Sequence, residues 1–170
     1  MAPPAPPPSL GLDLGQLREH IVRPVLKSLS LWTPAAENLV LGTGITESRL
    51  KYIKQIGKGP ALGLWQMEPA THNDLWTSYL YYNEALAALV RQYAPRAYAG
   101  TYPPAIHLMH SLVYGAAMCR IHYRRIKEAM PDNNAVSLAV YWKRYYNTPL
   151  GAGTVEKATP HFAMAVNSDV

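Results

Sequence analysis

Only one stretch of this chain carries the pattern of a strand pair. Residues 51–56 interleave polar and apolar side chains, Gly57-Lys58-Gly59-Pro60 make a turn, and 61–67 can return as a second strand. Nearly everywhere else the apolar residues recur at intervals of three and four, the signature of a helix face. A chain with a single hairpin-length strand signal cannot build its core from a sheet. It must pack helix on helix and carry the hairpin as an attachment.

The helical segments follow from their punctuation. Ser9 can cap a first helix over 9–29, with Leu10, Leu14, Leu17, Ile21, Val25 and Leu29 on one face and Pro24 interrupting it. Thr33 and Pro34 mark a second start, with the helix ending near Glu47 and Ser48. Pro69 opens a short helix to about Trp76, with Glu68 near its cap. A third long helix spans 78–93, and 94–104 reads as a loop. Residues 105–130 promise the longest helix, apolar on most sides and therefore central. Further helices are expected over 134–146 and 154–166, with a turn at 147–153. The expected class is mainly α (α+β), with one small β-hairpin. Residues 1–8 form a Pro/Ala-rich tail and 9–170 a single domain.

Composition narrows the classes. Of 170 residues 49% are apolar and 16% charged, a globular balance. No apolar run approaches the roughly 20 residues of a membrane helix, so membrane insertion is not expected. Cys119 is the one cysteine; it has no disulfide partner and reads as a buried small residue. The net charge of +5 suits polyanions. Its local cluster, Arg120, Arg124, Arg125 and Lys127, spreads over more than one helix face and reads as solvated. No nucleic-acid motif accompanies it, so nucleic acid is not an expected partner. The tail has neither the positive start nor the apolar run of a secretory signal. His107 and His110 lack a third ligand at metal spacing, so no metal or other cofactor is expected.

Chemistry concentrates around Glu47. It is the only acid between Glu37 and Glu68, and small and apolar residues precede it. A carboxyl at the inner end of a helix, facing a cleft, loses solvation, which raises its pKa toward the range a general acid needs. The 12 Tyr and 4 Trp, against 1 Phe, supply flat apolar faces with polar tips. Such rings line sugar grooves and also fill half-buried cores.

Three motifs then fall in order: Glu47-Ser48; after a hairpin-length gap Gly63-Leu64-Trp65-Gln66-Met67-Glu68-Pro69; and much later Tyr145-Tyr146-Asn147. The series resembles the soluble lytic transglycosylases, a family related to goose-type lysozymes, over roughly 39–154. That resemblance implies a lysozyme-like helical domain with its hairpin beside an active-site groove. It implies cleavage of the β-1,4 bond between N-acetylmuramic acid and N-acetylglucosamine, with bacterial peptidoglycan as partner and a monomer as the acting form. Glu47 matches the catalytic acid/base and Ser48 the residue that supports it. Gly63 and Leu64 match the strand lining the groove, Gln66 the groove glutamine, Tyr146 the tyrosine facing the glutamate and Asn147 its neighbour. Tyr114-Gly115-Ala116 resembles a small-residue site where the family packs helices closely.

Three departures suggest a divergent branch, of a kind a phage would encode for host-wall lysis or carry in its particle. Trp65 replaces the family's methionine and reshapes the nearby sugar subsite. Thr148 and Pro149 replace Ala-Gly. Glu68 stands where an apolar residue is common; it serves the helix dipole or is a second carboxylate that positions water. Ser48 reads as capping or orienting, with no nearby His to activate it. The alternatives are a hydrolytic muramidase on the same fold and a non-catalytic wall-binding or virion structural protein.

Overall fold

The structure, a computed structural model, describes residues 1–95, 101–148 and 150–168. Most of the expected loop core (96–100) and Pro149 lie outside the described residues. The architecture is mainly helical, and the described residues contain no sheet.

Asp13, not Ser9, starts the first helix: its side chain accepts from the Gln16 amide at 2.9 Å. α1 (Leu14–Leu17) runs through a π turn (Arg18–Val22) into α2 (Arg23–Ser28). Pro24 therefore does not break the segment. A proline ring collides with the carbonyl four residues back, and here that carbonyl belongs to His20, inside the widened π turn.

α3 (Pro34–Ser48) begins where the sequence marked it, with Thr33 accepting from the Ala36 amide at 3.0 Å. At 15 residues it exceeds α7 (Leu112–Arg124), so the longest helix is not the one expected. Leu39, Val40, Leu41 and Ile45 are fully buried, and the remaining faces carry Gly42, Thr43 and Gly44. A helix wrapped on every side belongs in the middle of a bundle. Gly42 is what lets α9 (Val155–Asn167) seat there: a Cβ at that position would stand 2.1 Å from the Phe162 ring.

The expected 105–130 helix breaks at Ser111, whose extended backbone and side chain cap α7 after the single turn of α6 (His107–His110). α7 then stops at Arg124, short of 130. Gly115 matches the expected close-packing position, but a loop residue fills it: the Trp65 ring lies 3.0 Å from where a Cβ would stand. The expected 78–93 helix is likewise two pieces, a 3-10 turn (Leu80–Tyr82) and α5 (Glu84–Arg91), divided by the Asn83 cap. α4 (Pro69–Ser78) precedes them. α8 (Ala135–Trp142) continues into a second π turn (Lys143–Asn147).

The hairpin is corrected. Residues 51–67 form a tight loop with two isolated bridges, Lys54 with Leu62 and Leu62 with Met67. Leu62 and Met67 exchange both backbone hydrogen bonds, at 2.9 and 3.1 Å, closing a four-residue turn. The residues of 51–56 stay exposed, Ile53 and Ile56 included, so the first arm has no apolar face to bury. Left-handed backbone at Gly57, Gly63 and Gln66, and Pro60 without an amide donor, prevent a regular ladder.

A buried ion cluster ties the N-terminal segment to α3. Arg18 Nη1 donates to Glu37 Oε1 at 2.6 Å, Arg23 donates to both Glu37 oxygens, and the Trp32 indole donates to Oε2. Burial alone pushes the Glu37 carboxyl up, but the bonds from Arg23, Trp32 and Arg18 hold it below its ordinary value.

Candidate active site

α3 ends abruptly after Ser48, because Arg49 and Leu50 both take left-handed backbone, with φ of 56° and 55°. Glu47 thus sits in the last turn of the central helix, at a groove of about 640 Å³. The 52–68 loop and Thr71 of α4 form one wall. His122 of α7 together with Tyr146, Asn147, Thr148 and Gly151 line the rest.

Most of the surroundings of Glu47 are protein, and the residue lines the groove. Burial raises its pKa from 4.5 to about 7, while the hydrogen bond from Trp142 opposes that rise. Trp142 Nε1 donates to Oε1 at 2.9 Å. A carboxyl poised near neutrality in the lining of a cleft can give a proton and take one back.

Glu47, Gln66, Glu68, Tyr146 and Asn147 all line this groove. Gln66 is held by its own bond from Nε2 to the Gly63 carbonyl at 2.9 Å. Asn147 Oδ1 accepts from Lys143 Nζ at 2.7 Å, which leaves its amide nitrogen without a bond from that side. Glu68 is the N-cap residue of α4 but makes no side-chain capping bond, and its carboxyl is exposed along the groove.

Four expected groove residues lie elsewhere. Ser48 is buried and donates to the carbonyls of Gly44 and Leu64, at 3.1 and 2.7 Å; its hydroxyl ties the helix end to the loop and not to the Glu47 carboxyl. Gly63, Leu64 and Trp65 are buried and do not line the groove. Trp65 is a core residue, with its indole donating to the Val40 carbonyl at 2.9 Å, and it is not among the residues lining the groove. Gly63 is required by its left-handed backbone (φ 78°) and by the Leu108 carbonyl, 2.2 Å from where a Cβ would stand.

Tyr146 faces the groove but does not orient the glutamate by its hydroxyl. That hydroxyl donates to the Trp65 carbonyl at 2.5 Å, and burial pushes its pKa up. Its ring packs on His122 and Tyr123, with centroids 4.7 and 5.3 Å away. The orienting donor is Trp142, one helical turn earlier on the same face. That spacing of four was available in the sequence.

His122 is the other residue the sequence reading missed at this site. Its Nδ1 is buried without a partner, and burial with nearby Arg125 lowers its pKa to about 4. Nothing in the sequence separates it from the chain's other histidines. Among the described residues no group of three His, Cys, Asp or Glu is placed to hold a metal. No helix among them is long and apolar enough to cross a membrane.

No family model, curated protein or solved structure matches the chain.

Proposed function

We propose that the chain is a peptidoglycan-cleaving enzyme with a lysozyme-like helical domain, acting as a lytic transglycosylase with Glu47 as acid and base. One observation carries the reading: a single desolvated carboxyl, with a pKa near 7, opens on a groove at the end of the central helix. The order of Glu47-Ser48, the Gly63–Pro69 motif and Tyr146-Asn147 along the sequence supports it.

The protonated Glu47 gives its proton to the glycosidic oxygen as the bond from muramic acid to the leaving sugar breaks. The substrate's own N-acetyl group meets the developing positive charge. Glu47, now ionised, takes the proton of the sugar's 6-hydroxyl as that oxygen closes on the anomeric carbon. The product ends in 1,6-anhydro-muramic acid. Gln66 and Asn147 offer amides to hydroxyl and N-acetyl groups along the groove. Tyr52, exposed at the groove, offers an aromatic ring.

A second reading, hydrolytic muramidase, is favoured by Glu68 on the same groove, where an exposed carboxylate can position water. In both readings the partner is the bacterial wall, met by a monomer from a phage at lysis or entry.

The test is mass spectrometry of the soluble products from purified peptidoglycan, with wild type beside Glu47→Gln. Anhydro-muramic ends that vanish with the variant are expected. Reducing ends that vanish with it establish the muramidase. No release by the wild-type protein refutes both enzyme readings.

A further inference from the structure

The basic run at the end of α7 takes no part in the proposed function. Its members separate in the structure. Arg125 turns to Asp74, with Nη1 2.5 Å from Oδ2. Arg120, Arg124 and Lys127 line a second pocket of about 320 Å³, which shares no described lining residue with the groove.

Arg120 sets this pocket apart. It is 7% exposed, and a guanidinium keeps its charge in a protein. Its Nε donates to the Leu31 carbonyl at 3.0 Å, but its buried Nη1 has no partner. Among the described residues no carboxylate forms an ion pair with it. Arg18, equally buried, meets Glu37, the Ala165 carbonyl and the Ser168 hydroxyl. A buried charge without a counter-charge is destabilising, and an anion seated beside it offsets that cost.

The pocket's charge selects the anion. Glu128 is its one acidic lining residue; it is exposed and does not pair with Arg120. Three cations against one carboxylate leave two positive charges in excess. A carboxylate ligand carries one negative charge, whereas a phosphate monoester carries about two near neutral pH. The guanidinium fork also matches phosphate oxygens in geometry. Thr33, the N-cap of α3, lines the same pocket and brings the positive end of a 15-residue helix to it.

We propose that this pocket binds a phosphate group, with Arg120 at its base and Arg124 and Lys127 at its rim. The ligand class is free phosphate or a phosphate monoester, and the site works independently of Glu47.

The test titrates the full-length, 15N-labelled protein with inorganic phosphate and with glycerol phosphate at constant ionic strength, with chloride as reference. Saturable amide shifts confined to residues 30–33 and 120–130 are expected. The double variant Arg124→Gln/Lys127→Gln removes two exposed side chains and should weaken binding about tenfold or more. Arg120→Met should abolish saturation; if it does not fold, the double variant decides. Binding of both probes identifies an ester site, and binding of inorganic phosphate alone a free-anion site; either supports the proposal. Shifts that follow chloride without saturating, or equal affinity in the double variant, overturn it.

Discussion

Replacing Glu47 by Gln should stabilise this protein at alkaline pH, an outcome that isolates the desolvation argument from any question of activity. In the unfolded chain Glu47 ionises at its ordinary value of 4.5; in the folded chain it ionises at about 7. Below pH 4.5 it is protonated in both states and folding carries no penalty. As pH rises, the unfolded chain releases its proton first and folded-state stability falls. Above about pH 7 both states are ionised and the loss is complete. A rise from 4.5 to about 7, at about 1.4 kcal/mol per pH unit, amounts to about 3 kcal/mol. The substituted glutamine keeps an oxygen that can accept from Trp142 and never charges. Urea unfolding at acid and alkaline pH, followed by circular dichroism, measures the difference. The variant should match wild type within about 1 kcal/mol in acid and exceed it by about 3 kcal/mol in alkali. A variant that is neutral or less stable at both pH values would refute the claim that Glu47 is desolvated.

Trp142→Phe removes the donor that favours the ionised carboxyl, so the pKa of Glu47 should rise further. The alkaline limb of the rate profile should then move up by about one pH unit, read from turnover of soluble glycan fragments. Glu37→Gln leaves Arg18 buried without a counter-charge and should cost about 3–5 kcal/mol in chemical denaturation. Gly63→Ala forces a Cβ against the Leu108 carbonyl in left-handed backbone. It should lower stability by more than about 2 kcal/mol, seen as a drop in the thermal midpoint.

Helix starts were legible in the sequence because they are local. Thr33, Asn83, Ser111, Asn134 and Thr154 each bond an amide within three residues, and Pro34 and Pro69 stand where a missing N–H costs nothing. Even so, the expected helices over 78–93 and 105–130 run through Asn83 and Ser111, because the apolar pattern continues past both. The hairpin failed for the opposite reason. Alternation on a pair of short arms needs a partner surface, and the first arm of the 51–67 loop stays in solvent.

The same division runs through the candidate site. A lone acid at the end of an apolar helix marked Glu47. Gln66, Glu68, Tyr146 and Asn147 line the groove with it. Motif order carries no information about side-chain direction. Trp65 points inward to Val40, Ser48 is spent on two backbone carbonyls, and the Tyr146 hydroxyl goes to Trp65. Local propensity thus determined where this chain turns and where it is helical. Tertiary packing alone decided that Glu47 meets the indole of Trp142, 95 residues away, and that Arg120 is buried without an ion-paired carboxylate among the described residues. Hydrogen bonds and desolvation act over a few ångströms, and only the fold sets which distant residues come that close.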